Sequence, residues 1–187
     1  MTGWMILAGL VAILLYLVAA YNSLVSMRQR GRQAFADIDV QLKQRHDLIP
    51  NLVETVKGYA GHEKETLDAV IRARNSAISA QGVPNQGQAE AQLSGALGRL
   101  IALSEAYPDL KANTNFQQLQ GELSDIENKL AASRRFFNNA VAEYNAGIES
   151  FPAVFIARNF GFQPMILFDI GEDQRKTLDA APPQVKF

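Results

Sequence analysis

The chain of 187 residues has no cysteine, only two histidines and a single tryptophan. Without thiols there are no disulfides, no thiolate-held metals and no cysteine nucleophile, although the compartment stays open. His46 and His62 are too isolated for the helical ligand pair of a zinc site, and no metal or other cofactor is expected. Glycine-rich phosphate loops and a Gly-x-Ser-x-Gly nucleophile turn are also missing. Neither sign of charge dominates, with 18 Lys plus Arg against 19 Asp plus Glu. That balance lacks the basic excess of a nucleic-acid-binding surface, so nucleic acid is not an expected partner. Proline and glycine occur at ordinary levels, 7 and 13, so the composition is that of a folded chain.

The most local deficit is charge at the start: the first 27 residues carry no charged side chain. Within them Trp4 to Tyr21 is almost wholly apolar, and as a helix it extends for roughly 27 Å. That matches the hydrocarbon thickness of about 30 Å, with Trp4 and Tyr21 as interfacial aromatics at its two ends. The rival reading is a cleaved signal peptide, for which Val18 and Ala20 suit the cleavage site. Against it stand an n-region without Lys or Arg and an overlong apolar core. Arg28, Arg30 and Arg32 follow the span. Basic flanks resist translocation, so the bulk of the chain is expected in the cytoplasm and the span in the inner membrane. The same arginines are candidates for contact with anionic lipid.

Beyond the span, apolar residues keep a seven-residue rhythm. Phe35, Leu42, Ile49 and Val56 form one row, and Ile38, Arg45, Leu52 and Tyr59 its companion. Pro50 lies inside the pattern and predicts a kink or a restart, with Asp47 as a possible cap. A second helix is expected from His62 to about Gln81, with Leu67, Val70, Ile71, Arg74 and Ile78 on its stripe. The run Gly82 to Asn85 is a turn signal. A third helix, from about Gln86 to Tyr107, carries Leu93, Leu97, Leu100, Ile101 and Ser104. A fourth follows Asn113-Thr114-Asn115, with Phe116, Leu123, Leu130, Phe137, Tyr144 and Phe151 in one row. The companion row, Leu119, Ile126, Ser133, Ala140 and Gly147, shrinks along the helix and admits a close neighbour.

These patterns predict an all-α protein in three parts: anchor 1–22, helical bundle 23–150 and an apolar, then polar, segment 151–187. The bundle is expected to be elongated, antiparallel and up-and-down with four helices. The alternative is three long rods, the middle one broken near Pro84. The aromatic stretch 151–168, interrupted by Pro152 and Pro164, is expected to pack on its own bundle, on a partner or at the lipid surface.

No catalytic signature emerges. His62-Glu63-Lys64-Glu65 is half of a metalloprotease motif without its second histidine, and reads as a solvated helix start. Arg45 is the anomaly, because its neighbours in the seam are apolar. It must snorkel to water or meet a carboxylate, with Asp37, Asp39, Glu122, Asp125 and Glu127 as possible partners. A functional alternative is a polar pocket of Arg45, Asp39 and His46 that contacts a ligand or partner.

Several runs carry a resemblance to a known family. They are Tyr21-Asn22 with Leu24-Val25, the long run Ile38 to Ala60, and His62-Glu63. A second set comprises Ala106 to Asn113, Phe116 to Gln120, Glu122-Leu123, Glu127, Arg134 to Asn138, Tyr144-Asn145 and Phe151-Pro152. On these the chain resembles the LemA family of bacterial membrane-anchored proteins over nearly its whole length. One departure is Phe35, where members of the family often carry tryptophan. The resemblance implies a helical bundle on one N-terminal span, mostly cytoplasmic, with no established enzymatic activity. Relatives include proteins tied to magnetosome membrane formation. It assigns no catalytic task to Asp39, Arg45, His46, Asp47, Pro50 or Asn51. The function expected is therefore a non-enzymatic scaffold acting through helix contacts with itself, as a homo-oligomer, or with an unidentified membrane protein. A lipid-surface or membrane-shaping protein is the alternative.

Overall fold

The first helix, α1, runs without interruption from Thr2 to Ala60 in the computed structural model, which describes residues 2–168. Every regular element among the described residues is helical. The others are α2 (Lys64–Ser79), α3 (Val83–Leu103), α4 (Pro108–Lys111), α5 (Thr114–Glu149) and α6 (Ala153–Asn159), with one 3-10 turn at Ser104–Ala106. The polar tail expected after residue 170 lies outside the described residues. Two compact units divide the described residues: a terminal unit of residues 2–39 and 131–167, and a central unit of 40–130 with Phe168.

In the central unit the seven-residue seam is the core. Leu42, Ile49, Val56 and Leu52 of α1 are buried, as are Phe116, Leu123 and Leu130 of α5. Around them pack Leu67 and Val70 of α2, Leu93, Leu97 and Leu100 of α3, and Leu110 of α4. Each such side chain contributes about 1.5–3 kcal/mol by leaving water. Tyr59 departs from the expected row: it is exposed, and its hydroxyl accepts a hydrogen bond from Asn113 Nδ2 at 2.9 Å. Ile71 and Ile78 are likewise exposed, at 42% and 52%. The buried stripe of α2 is the narrower Leu67, Val70, Ala77 row, and the two isoleucines flank it.

Local chemistry sets the helix ends. Asn113 caps α5, its Oδ1 accepting the Phe116 N–H at 2.9 Å, which satisfies one of the free donors of the first turn. The reversal before α3 sits at residues 80–82, where Gly82 takes φ 80°. Val83 and Pro84 already belong to the first helical turn, so α3 starts earlier than the turn signal suggests; a proline is tolerated there because its missing N–H has no partner to lose. α2 packs along α3 within this unit.

Pro50 does not end or restart α1. It lacks the N–H that would bond the His46 carbonyl one turn back, and Arg74 of α2 takes over: its Nε donates to that carbonyl at 2.7 Å. Asp47, no cap, lies 3.5 Å from Lys43 on the surface of the same helix.

In the terminal unit α1 and α5 run antiparallel. Phe35 meets Phe137 with ring centroids 5.5 Å apart, Arg30 pairs with Glu143 at 3.1 Å, and Gly147 backs onto Met27 and Leu24. The shrinking companion row thus ends where a Cβ on Gly147 would lie 2.9 Å from the Met27 sulfur. Phe151 leaves the seam, because α5 stops at Glu149, and it is 81% exposed. The chain then turns back along α1. Ile156, Ala157 and Phe162 bury against Leu24, Tyr144 and Ile148. Asn145 clamps the returning segment in both directions: its Nδ2 donates to the Met165 carbonyl and its Oδ1 accepts the Met165 N–H, each at 2.9 Å.

Candidate functional site

The central unit holds a charge cluster built on three helices. Arg45 and His46 come from α1, Glu90 and Ser94 from α3, and Glu127 from α5. The Arg45 side chain has no exposure. Its Nη1 donates to Glu90 Oε2 at 2.7 Å and its Nη2 to Ser94 Oγ at 2.7 Å, with Glu127 Oε1 2.6 Å from Nη2. Glu90 is also fully buried, and its other oxygen, Oε1, lies 2.7 Å from His46 Nε2. With Glu90 ionised, the imidazole donates that bond, so both carboxylate oxygens are engaged. Glu127 keeps 39% of its side chain in solvent.

This arrangement follows from the heptad positions. Glu90, Leu93, Leu97, Leu100 and Ser104 alternate in steps of three and four, as do Leu67, Val70, Arg74 and Ala77. Arg45, Arg74 and Glu90 are thus the charged occupants of otherwise apolar seam rows, and each finds its partner across a helix boundary. A guanidinium is suited to that place, because its planar fork bonds carboxylates on two sides while staying charged. Arg45 Nε is buried with no hydrogen-bond partner among the described atoms. Beside the cluster is an open cleft of about 400 Å³, whose polar lining includes Gln120, Ser124 and Asn128.

Of the expected pocket, Arg45 and His46 come together on Glu90. Asp39 is exposed, and its α1 position is carried onto a different face, since six residues are not a whole number of helical turns. Among the suggested carboxylates Glu127 is the one that meets Arg45. Glu90 was not foreseen, although a lone acid in the α3 stripe is the signal that points to it. Among the described residues no three His, Asp or Glu side chains are placed to hold a metal ion. His62 is exposed and precedes α2, and Glu63 accepts a hydrogen bond from the Tyr107 hydroxyl at 3.1 Å. That bond pushes the Tyr107 phenol above its usual range.

The terminal unit holds the second set of candidates. α1 is apolar enough over its early part to cross a membrane, and none of that window is buried by protein. Trp4 is 80% exposed at one end. At the other, Tyr21 stacks edge-on against Phe160 and Phe162, with centroids 5.1 and 5.6 Å away. Arg28 is half-buried with its guanidinium over the Phe162 ring at 4.9 Å, and Arg30 is held by Glu143, while Arg32 is exposed. Arg28 therefore also serves an intramolecular contact that the flank pattern alone does not reveal.

Known proteins resemble this chain over most of its length. The magnetosome protein MamQ of Magnetospirillum gryphiswaldense is 26% identical over 186 residues, covering 86% of this chain and 68% of that protein. Magnetosome protein MamQ 2 of Paramagnetospirillum magneticum is 24% identical over 181 residues, or 83% and 66% of the two chains. Protein LemA of Metamycoplasma hominis is 26% identical over 166 residues, or 88% and 75%. The chain thus spans about two thirds of the length of the magnetosome relatives. The LemA family pattern matches residues 34–187, a stretch that includes Arg45, His46, Arg74, Glu90 and Glu127. With most of its length matched, the chain belongs to the LemA family.

Proposed function

We propose that the protein is a non-enzymatic, single-pass scaffold of the inner membrane, with α1, α2, α3 and α5 forming an antiparallel up-and-down bundle on the cytoplasmic side. One observation carries this reading. A single unbroken helix, α1, is apolar and unburied over its first part and buried along its seam over its last. Lipid suits the first part and helix packing the second. The charged side chains of the cluster bond one another, which supports a structural role for Arg45, His46 and Glu90. Arg28, Arg30 and Arg32, just beyond the span, support the cytoplasmic side for the bundle.

Contact with a second copy, or with another membrane protein, is assigned to α2. Ile71 and Ile78 stand seven residues apart and exposed on that helix, as a strip that its own core leaves uncovered. The chain has no cysteine, so Ile71→Cys and Ile78→Cys give site-specific disulfide cross-linking without a background. Cross-linked dimers, or a defined partner adduct, in native membranes are the expected result. Monomers alone by cross-linking and by sizing in detergent, with no copurifying protein, would falsify the scaffold reading.

A second reading, a lipid-surface or membrane-shaping protein, is favoured by the exposed phenylalanines of 151–160. Vesicle deformation that survives deletion of 151–187 together with neutralisation of Arg28, Arg30 and Arg32 removes its basis.

A further inference from the structure

Phe151, Phe155 and Phe160 are 81%, 59% and 65% exposed, far more than side chains of their size and apolarity favour in water. All three belong to the segment that follows α5 in the terminal unit. Phe160 touches Tyr21, the aromatic that closes the apolar span. Gly147 rests on Leu24 and Met27. Phe151 follows the end of α5 by two residues and precedes α6. Phe155 in turn meets Phe151, their centroids 5.9 Å apart and their rings nearly perpendicular.

We propose that these three rings insert into the headgroup–acyl boundary of the leaflet from which α1 emerges, as a second membrane contact beside the span. The occupant of the patch is lipid because the patch continues the lipid-facing surface of α1 through the Tyr21–Phe160 contact. Phenylalanine on the apolar side of an interfacial segment buries to that depth of the bilayer. Arg158, exposed on α6, is the one charge in 151–168, and its sign suits an anionic headgroup. The collar is also held in place from behind. Ile156, Ala157 and Phe162 anchor it in the core of its unit, Asn145 clamps residue 165, and the Tyr144 hydroxyl donates to the Gln163 carbonyl at 2.9 Å. A segment so pinned cannot fold its rings inward without losing those bonds. The inference rests on the reading of Trp4 to Tyr21 as a membrane span and deepens it.

The test uses the full chain in liposomes containing anionic lipid, with Trp4 as the natural reporter of the anchor. In a Trp4→Phe background, single tryptophans replace Phe155, Phe160 and, as a control on α5, the exposed Phe136. Lipids brominated near the headgroup, and iodide in the water, serve as the two quenchers. Tryptophan at 155 and 160 is expected to lose emission to the brominated lipid, to resist iodide and to shift to the blue, while position 136 responds to iodide alone. Quenching of 155 and 160 by iodide alone overturns the proposal. Insensitivity to both quenchers overturns it too, since protein then covers the rings: a second copy if dilution in lipid relieves the protection, another part of the chain if it does not. Trp4 in the unmodified chain separates the two claims. If lipid quenches Trp4 but not 155 and 160, the anchor stands and the collar fails; if Trp4 itself meets only iodide, the span reading fails. Far-UV circular dichroism confirms folding, and Phe155→Cys and Phe160→Cys carrying a polarity-sensitive dye repeat the measurement with a smaller change to the ring site.

Discussion

Arg45 has no contact with solvent and two carboxylates around it, one of them as buried as itself. Removing one member of such a buried pair is costly because it strands the other charge, whereas replacing both with apolar groups is often neutral. Glu90→Ala is therefore expected to destabilise the protein by about 3–5 kcal/mol. Arg45→Met combined with Glu90→Leu is expected to cost much less than Glu90→Ala alone. Chemical denaturation in detergent, followed by circular dichroism, compares the two. A second residue ties stability to pH. Burial pushes the Tyr144 phenol above its usual range, and Arg28 and Arg32 pull it partly back. A phenol whose folded-state value is raised stabilises the fold fully below the unfolded value of about 10, and that contribution is lost as pH rises through the folded value. Thermal stability of the natural chain should therefore fall above about pH 10, more steeply than that of Tyr144→Phe. Tyr144→Phe in turn starts from a lower plateau at neutral pH, by about 1 kcal/mol for the lost bond to the Gln163 carbonyl. Arg45 was legible as an anomaly because a charge breaks an apolar row. Its principal partner was not, since sequence spacing places Glu90 on a face without saying which face of which helix lies opposite.

At the scale of helices, the seven-residue rhythm located α1, α3 and α5 well and their ends less well. Side-chain period reports burial, while helix ends depend on single bonds such as that between Asn113 and the Phe116 N–H. α4 and α6 went unseen because elements of four and seven residues are too short for a period to register. Pro50 is the instructive case. Proline chemistry alone predicts a break, and a side chain from another helix removes the need for one. Arg74→Met should therefore cost about 1–3 kcal/mol in the natural chain, where it orphans the His46 carbonyl. In a Pro50→Ala background the loss should be smaller, because the alanine N–H reaches the same acceptor. A double-mutant cycle on unfolding free energies measures the coupling, and strict additivity would show that Arg74 does not substitute for the missing rung.

For the whole molecule, an all-α chain with an apolar first segment was readable from composition and period, because the absence of charge before Arg28 is a long and uniform signal. The return of residues 153–167 along α1 was not, since that path is fixed by Asn145 and Tyr144 rather than by a repeating pattern. Placing charges in the span tests the anchor directly. Leu10→Arg with Leu14→Arg adds about 2.5–3.5 kcal/mol each near the centre of a membrane helix. The double variant is expected to leave the membrane fraction while keeping its helical circular dichroism. A reporter at the C-terminus that is active only in the cytoplasm reads the orientation. The bond between Arg74 and the His46 carbonyl also imposes a sequence in time. Synthesis delivers the proline long before its remote guanidinium, so a nascent chain ending short of residue 74 leaves that acceptor to water. The long first helix is completed only once the second has been made, and a ribosome stalled between those two codons would display it unfinished.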